Sequence, residues 1–197
     1  MSALPCFRHP TCPPGLSPRN GHTLLEALVV LVLIGVLLSA VLPGWTEYLA
    51  RRRVEAASSQ LQADLAELRH TAVARDTGLR MTFRHSAEGS CYLMHNGDAA
   101  LCDCQPDGQG ELIPRCTDGA HLLLARVWRA DDLVLRANIT SLRADPRQGG
   151  VSPSGSIELR AAGLQPLRHV VNLLGRVRLC SVVSDPTLPG WRGLSTC

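Results

Sequence analysis

The sequence contains no lysine; all 20 of its basic side chains are arginine. That excludes a P-loop, a Schiff-base enzyme and other chemistry that needs a lysine amine. Aromatic residues make up only 4% of the chain, too few to favour a nucleic-acid platform built from stacked bases. The formal net charge is only +3, too small for a globally basic nucleic-acid binder, so any polyanion site must be local. Of the seven histidines only His22 has a Glu four residues away, at Glu26, and no Ser/His/Asp order is defensible. An enzyme therefore ranks last among the function classes. What the sequence does have is apolar residues, 45% of 197, enough for a core in one domain or one domain plus an appendage.

These apolar residues are concentrated near the N-terminus. Ala27 to Leu38 carries no charge or strongly polar group. Extended from Thr23 to Leu42, the segment matches the ~20 residues that a helix needs to span a bilayer. Each Leu, Ile or Val near the centre favours insertion by roughly 0.3–0.6 kcal/mol, and together they outweigh one charge. The alternative is a buried helix of a soluble core. The one charge is Glu26. An ionisable group inside an apolar boundary is costly unless paired, which makes it a functional candidate. Upstream lie Arg8 and Arg19 and no acidic residue, a flank that stays cytoplasmic. A cleaved secretory signal is the competing reading. The apolar stretch exceeds a usual signal core, however, and it runs on into a long helical pattern.

Arg19-Asn20-Gly21-His22-Thr23-Leu24-Leu25-Glu26, followed by the apolar run and Pro43, resembles the type IV prepilin signature. The resemblance implies cleavage by a prepilin peptidase between Gly21 and His22 and methylation of the new N-terminus at His22. It makes Glu26 the retained glutamate of the fifth mature position. His22 stands where the family usually has Phe. In a filament of such subunits, the free amine of one chain can meet the Glu of its neighbour, giving a buried carboxylate the partner it needs. The apolar helix then serves twice, first in the bilayer and later in the fibre.

Beyond Pro43 the pattern becomes amphipathic. Val54, Ala57, Leu61, Leu65, Leu68 and Ala72 recur at three and four residues, a stripe that packs on a globular domain. A stop is expected near Asp76-Thr77-Gly78, with Gly as the terminator. Pro43 is expected to kink the helix or end its membrane part. Arg51-Arg52-Arg53 reads as a solvated face or a contact with lipid headgroups. Strand patterns follow at Leu79–Phe83, Cys91–His95 with a tight turn at Asn96-Gly97, Leu122–Trp128, Leu133–Ile139, Ser156–Arg160 and His169–Val183 with a break near Gly175. The stretch Asp145 to Gly155 reads as loop. The expected fold class is α+β, a long N-terminal helix packed on an antiparallel β-sheet domain, type IV pilin-like. Its parts are a leader over 1–21, a transmembrane and assembly helix over 22–43, an amphipathic half over 44–77 and a periplasmic β domain over 78–197.

Ser156-Ile157-Glu158-Leu159-Arg160 and the later Leu174-Gly175-Arg176-Val177-Arg178-Leu179-Cys180 look like the C-terminal end of the GspH/FimT minor pilins. In some FimT proteins a Gly-Arg-x-Arg motif near the C-terminus binds DNA during natural transformation. The resemblance places that element on Gly175, Arg176 and Arg178. The residues themselves support it. Arg176 and Arg178, two apart on a strand, face the same side roughly 6.6–6.8 Å apart. Guanidinium forks bind phosphate oxygens bidentately and without sequence preference. Alternating arginines also mark the wet face of an ordinary strand. The charge distribution favours the site: residues 44–145 hold 12 Arg against 14 acids, whereas residues 147–197 hold 6 Arg against 2. Arg160, Arg168 and Arg192 would extend the patch.

Cys6 and Cys12 fall in the leader. Six cysteines remain on the exported, oxidising side, and three disulfides are expected. The pilin resemblance implies a Cys180–Cys197 bond closing a C-terminal loop. That leaves Cys91, Cys102, Cys104 and Cys116 to pair among themselves in an order left open. A zinc site from these four with His95 and His121 matches no standard spacing, and no cofactor or metal is expected. Two functions compete. One is a minor pilin that takes up DNA in natural transformation. The other is a structural minor pilin or a GspH-like type II secretion pseudopilin without DNA binding. Both imply a single-pass bacterial inner-membrane protein with a periplasmic C-terminal domain, later in a pilus or pseudopilus. Its partners would be prepilin peptidase, other pilin or pseudopilin subunits and the membrane, with DNA added for the first function.

Overall fold

A computed structural model of the chain describes residues 23–117 and 119–197. Gly21 and His22 lie outside the described residues. Two compact units divide the chain, Met1–Leu42 and Pro43–Cys197. Helix α1 covers Leu24–Ala74 and crosses the boundary between them. Among the described residues no single helix is long and apolar enough to cross a membrane; Leu24–Ser39 and Gly44–Ala74 pass that test together, by length and composition, across a short break. The break contains Pro43, which cannot donate a backbone hydrogen bond to the preceding turn.

In the first unit, Thr23 caps α1. Its Oγ1 accepts from the Glu26 amide at 3.3 Å, and its carbonyl accepts from Ala27 N at 3.2 Å. Leu24, Leu25, Leu28 to Ile34 and Val36 to Leu38 are exposed. An apolar surface this continuous has no stable partner in water.

In the second unit, α1 buries the expected stripe, Val54, Ala57, Leu61, Leu65, Leu68 and Ala72. The helix ends in a Schellman motif. Thr77 N donates to Ala72 O at 3.0 Å, and Asp76 N donates to Val73 O at 3.3 Å. The left-handed residue is Asp76, at φ 48°. Gly78 was expected to take this role; Asp is among the few other residues that visit the conformation, because its short polar side chain can hydrogen-bond locally. Of Arg51, Arg52 and Arg53, the last two lie on the expected solvated face and only Arg51 is partly covered. Arg51 stacks on Trp191 and donates to Gly190 O, Arg52 pairs with Glu55 and Tyr48, and Arg53 pairs with Asp132.

Eleven strands follow among the described residues: β1 (Leu79–His85), β2 (Gly89–Asn96), β3 (Cys102–Pro106), β4 (Leu112–Cys116), β5 (Leu122–Arg129), β6 (Val134–Ala137), β7 (Ser141–Ala144), β8 (Val151–Ser152), β9 (Gly155–Arg160), β10 (Leu167–Val171) and β11 (Val177–Ser181). They form a five-stranded sheet in the order β5-β2-β1-β7-β8, a four-stranded sheet β11-β10-β9-β6 and a two-stranded ribbon β3-β4. Every strand pair is antiparallel. The helix stripe, the β1–β2 residues Met81, Phe83 and Tyr92, and the β9–β10 residues Ile157, Leu159, Leu167 and Val171 share one core.

Two turn expectations need correction. Asn96-Gly97 is not a two-residue hairpin, because β3 pairs with β4 and not with β2. Asn96 instead holds the mouth of the insertion, its Oδ1 accepting from His121 N. The Asp145–Gly155 stretch contains the short strand β8, which pairs with β7. The insertion is closed by Cys91–Cys104 and Cys102–Cys116, and the C-terminus by Cys180–Cys197. Oxidised sulfurs are not thiolate ligands, so in this state the insertion offers no zinc site of the kind considered above.

Candidate nucleic-acid interface

The period-2 pattern of β9, β10 and β11 divides their side chains between two faces. Ile157, Leu159, Leu167, His169 and Val171 point into the core and are buried. Ser156, Glu158, Arg160, Arg168, Val170 and Arg178 point outward. The register orders this outer face into rows. Arg178 lies opposite Val170, and Val170 opposite Ser156. In the next row Cys180 lies opposite Arg168, Arg168 opposite Glu158, and Glu158 opposite Arg136 of β6.

Arg176 stands just before β11, at the end of the β10–β11 hairpin. The turn is built by Asn172. Gly175 N donates to Asn172 O at 2.8 Å, and Arg176 N donates to the Asn172 side-chain oxygen at 2.9 Å. A three-residue loop of this kind closes on a left-handed residue, here Gly175 at φ 71°. The close approach of Arg69 is a second feature that favours glycine there. A Cβ at Gly175 would lie 2.6 Å from Arg69 Cδ and 2.8 Å from Arg69 Cζ. Arg69 reaches across from α1, donating from Nε to Gly149 O at 2.8 Å and from Nη1 to Gly175 O at 3.2 Å. The glycine of Gly-Arg-x-Arg thus seats the hairpin on the helix and sets where Arg176 emerges.

The arginines of this region fall into two states. Arg176 and Arg178 are exposed, and among the described residues neither guanidinium has an ion-pair partner. Arg160 and Arg168 are both committed to Glu158. Arg160 Nε donates to Glu158 Oε2 at 3.0 Å, and Arg168 Nε donates to Glu158 Oε1 at 2.9 Å. The Glu158 side chain is only 12% exposed. Burial pushes its pKa up, but hydrogen bonds from Arg160 and Arg168 outweigh that and hold it below the usual range. Arg192 lies elsewhere. It follows Trp191, whose Nε1 donates to Gln165 O at the opposite end of β10 from the hairpin tip. The outer face therefore groups Arg136, Arg160, Arg168 and Arg178, with Arg176 beside them, around one acid.

Sequence reasoning missed the partners that set these states. Nothing in the one-dimensional pattern pairs Arg69 with a glycine 106 residues away. Arg136 was legible in outline, because Leu135 marks the buried side of β6 and so turns Arg136 outward. Its position opposite Glu158 requires the strand order.

Two histidines and an aspartate are buried away from this face. His169 Nε2 meets Ser58 Oγ at 3.0 Å, and burial lowers its pKa to about 4. His95 lies 2.9 Å from Thr82 Oγ1 and is likewise lowered by burial. Asp64 accepts from Tyr92 Oη at 2.6 Å, Gln60 Nε2 at 2.9 Å and Arg126 Nε at 3.2 Å. Each makes a hydrogen bond inside the core, although His169 Nδ1 has no partner among the described residues, and none brings a reactive atom to the surface.

Residues 16–42 match the model of the prokaryotic N-terminal methylation motif. No curated protein matches the chain in sequence. Among solved structures, the chain is similar to the type IV minor pilin FimU of Pseudomonas aeruginosa strain PAO1 in two crystal forms. The first is 14% identical at a TM-score of 0.46, over 66% of this chain and 89% of that one. The second is 13% identical at 0.45, over 64% and 90%. The methylation motif thus stands at the head of a long helix that leads into antiparallel sheets.

Proposed function

We propose that this pilin-like chain is a minor subunit of a type IV pilus that binds DNA without sequence preference for uptake in natural transformation. One observation carries the reading: Arg176 and Arg178 emerge exposed and without ion-pair partners among the described residues, from a hairpin whose glycine is locked on Arg69. Guanidinium forks held at a fixed site recognise phosphate, and phosphate contacts supply affinity for any base sequence. Weak binding by one subunit is sufficient where several subunits or a retracting filament act together.

In this reading prepilin peptidase cleaves between Gly21 and His22 and the new N-terminus is methylated. The apolar segment first anchors the chain once in the bacterial inner membrane, with the β domain in the periplasm. In the filament the same segment packs among other pilin subunits, and Glu26 meets the terminal amine of a neighbour. The exposed apolar surface of Leu24–Leu38 supports both steps, because lipid and neighbouring helices are the environments that bury it.

The test is binding of duplex DNA by the oxidised full chain in a neutral detergent, across a salt series. Native affinity is expected to fall with salt. Arg176→Gln with Arg178→Gln is expected to flatten the dependence by about 1.8 in log–log slope, since two phosphates are no longer neutralised. No native binding at low salt would overturn the DNA reading and leave a structural minor pilin or a GspH-like secretion pseudopilin.

A further inference from the structure

The four-stranded sheet offers anions a second exposed arginine, on the far strand from the Gly-Arg-x-Arg element. Arg136 of β6 lies opposite Glu158 in register. It is exposed, and among the described residues its guanidinium has no ion-pair partner. It lies three strands from Arg178 and two residues along, a separation of roughly 16 Å between backbones. Arginine side chains at each end are long enough to reach phosphates on the two sides of a major groove about 12 Å wide.

What lies between these two points is as informative as the points themselves. Arg168 and Arg160 would make the face one continuous basic field if they were free. Both forks are filled by Glu158, a carboxylate held in the place a phosphate would take. The Glu158 side chain is largely covered and its two oxygens are held by both arginines, so exchanging it for a phosphate would leave a partly desolvated charge without its partners. The centre of the face is thus compensated, while its two ends carry free charge.

We propose that Arg136 is a further phosphate-contacting residue of this site, and that Glu158 withholds Arg160 and Arg168 from DNA. This rests on the DNA-binding reading above. The site then contacts DNA at two separated points, Arg176 with Arg178 on one side and Arg136 on the other. Glu158 sets the number of arginines that contribute.

The experiment is the same salt series on the oxidised full chain with duplex DNA, using four single substitutions. Arg136→Gln is expected to make the log–log slope shallower by about 0.9, the value for one phosphate. Arg136→Lys, which keeps the charge, is expected to retain the native slope. Glu158→Gln is expected to steepen the slope by up to about 1.8 as two arginines are released. Arg115→Gln, in the disulfide-closed insertion, should leave it unchanged. Thermal unfolding of each variant shows whether the fold is kept.

If Arg136→Gln binds like the native chain while the Arg176/Arg178 double variant is impaired, the DNA reading stands and the role given to Arg136 is wrong. If Glu158→Gln leaves the slope unchanged in a folded protein, Glu158 withholds nothing. If Arg115→Gln weakens binding as much as Arg136→Gln, the effect is general charge and the site is refuted. If the native chain fails to bind at low salt, it is the DNA reading itself that fails.

Discussion

The two faces of the four-stranded sheet solve opposite problems with neighbouring residues of the same strands. On β10, His169 is buried and uncharged against Ser58, while Arg168, one residue earlier, carries its charge outward to Glu158. On β9, Ile157 and Leu159 are fully buried and Glu158 between them is not. The inner face stabilises by excluding water and is specified by volume. The outer face is specified by the number and pairing of its charges. Substitutions on the two faces should therefore separate stability from binding, and each prediction below is a way to make that separation fail.

The largest effect is expected inside. Ile157 is fully buried between the sheet and α1. Ile157→Ala should cost about 2–5 kcal/mol, the loss of transfer energy plus the cavity left behind. Denaturant unfolding would measure it. DNA affinity of the fraction still folded should not change. A large affinity loss in the folded fraction would show that the outer arginines depend on inner packing and would collapse the distinction.

Acid should also act on the inner face first. The folded pKa of His169 is lowered to about 4 by burial, from an ordinary value of 6.5. A depressed histidine is neutral in the fold and protonates more readily when unfolded. Stability is therefore fully present above pH 6.5 and declines as pH falls from 6.5 towards 4. His95 is shifted the same way and adds to the decline. The His169 contribution is expected to reach about 3 kcal/mol across that window. Unfolding free energies of the native chain and His169→Gln, measured between pH 7 and 4, would show it as a shallower pH dependence in the variant. Glu158 has a lowered carboxylate pKa, so its contribution is present above about pH 4.5 and disappears only below that, as pH falls through its folded value. A pH dependence unchanged by His169→Gln would place the acid-sensitive group elsewhere.

The contrast between the faces also explains how much could be read in advance. The helix stripe from Val54 to Ala72 and most of the longer strands were legible, because each is a local period of apolar residues. Arg178 was legible as an outward residue of its strand, whereas Arg176, expected on the same strand face, stands in the hairpin just before β11. The short strands β7 and β8 and the ribbon β3–β4 were not legible. Cys-Asp-Cys-Gln-Pro and Leu-Ile-Pro-Arg-Cys have little strand propensity; the Cys102–Cys116 bond holds them to each other and Cys91–Cys104 ties β3 to β2. The Glu158 clamp and the Arg69 bridge were hidden for the same reason. A side chain's partner across strands depends on sheet order, which a single strand does not encode.

The smallest expected effect is the most discriminating. Arg178→Gln should change unfolding free energy by no more than about 0.5 kcal/mol, as for surface substitutions away from caps, networks and cores. Its side chain is exposed and holds no partner among the described residues, so nothing buried is left unsatisfied when it is replaced. Arg168→Gln makes the useful contrast. That change removes one of two forks from the Glu158 side chain, which is 12% exposed, leaving part of a charge network unpaired, and should cost more than Arg178→Gln. Chemical denaturation of both variants at pH 7 would rank them. Equal small costs would mean that Glu158 is solvated well enough to lose a partner freely, and Arg168 would then be as available to phosphate as Arg178. A substantial cost at Arg178 would make it a structural residue of β11, and any loss of DNA binding in that variant would have to be traced to the hairpin instead of to a missing phosphate contact.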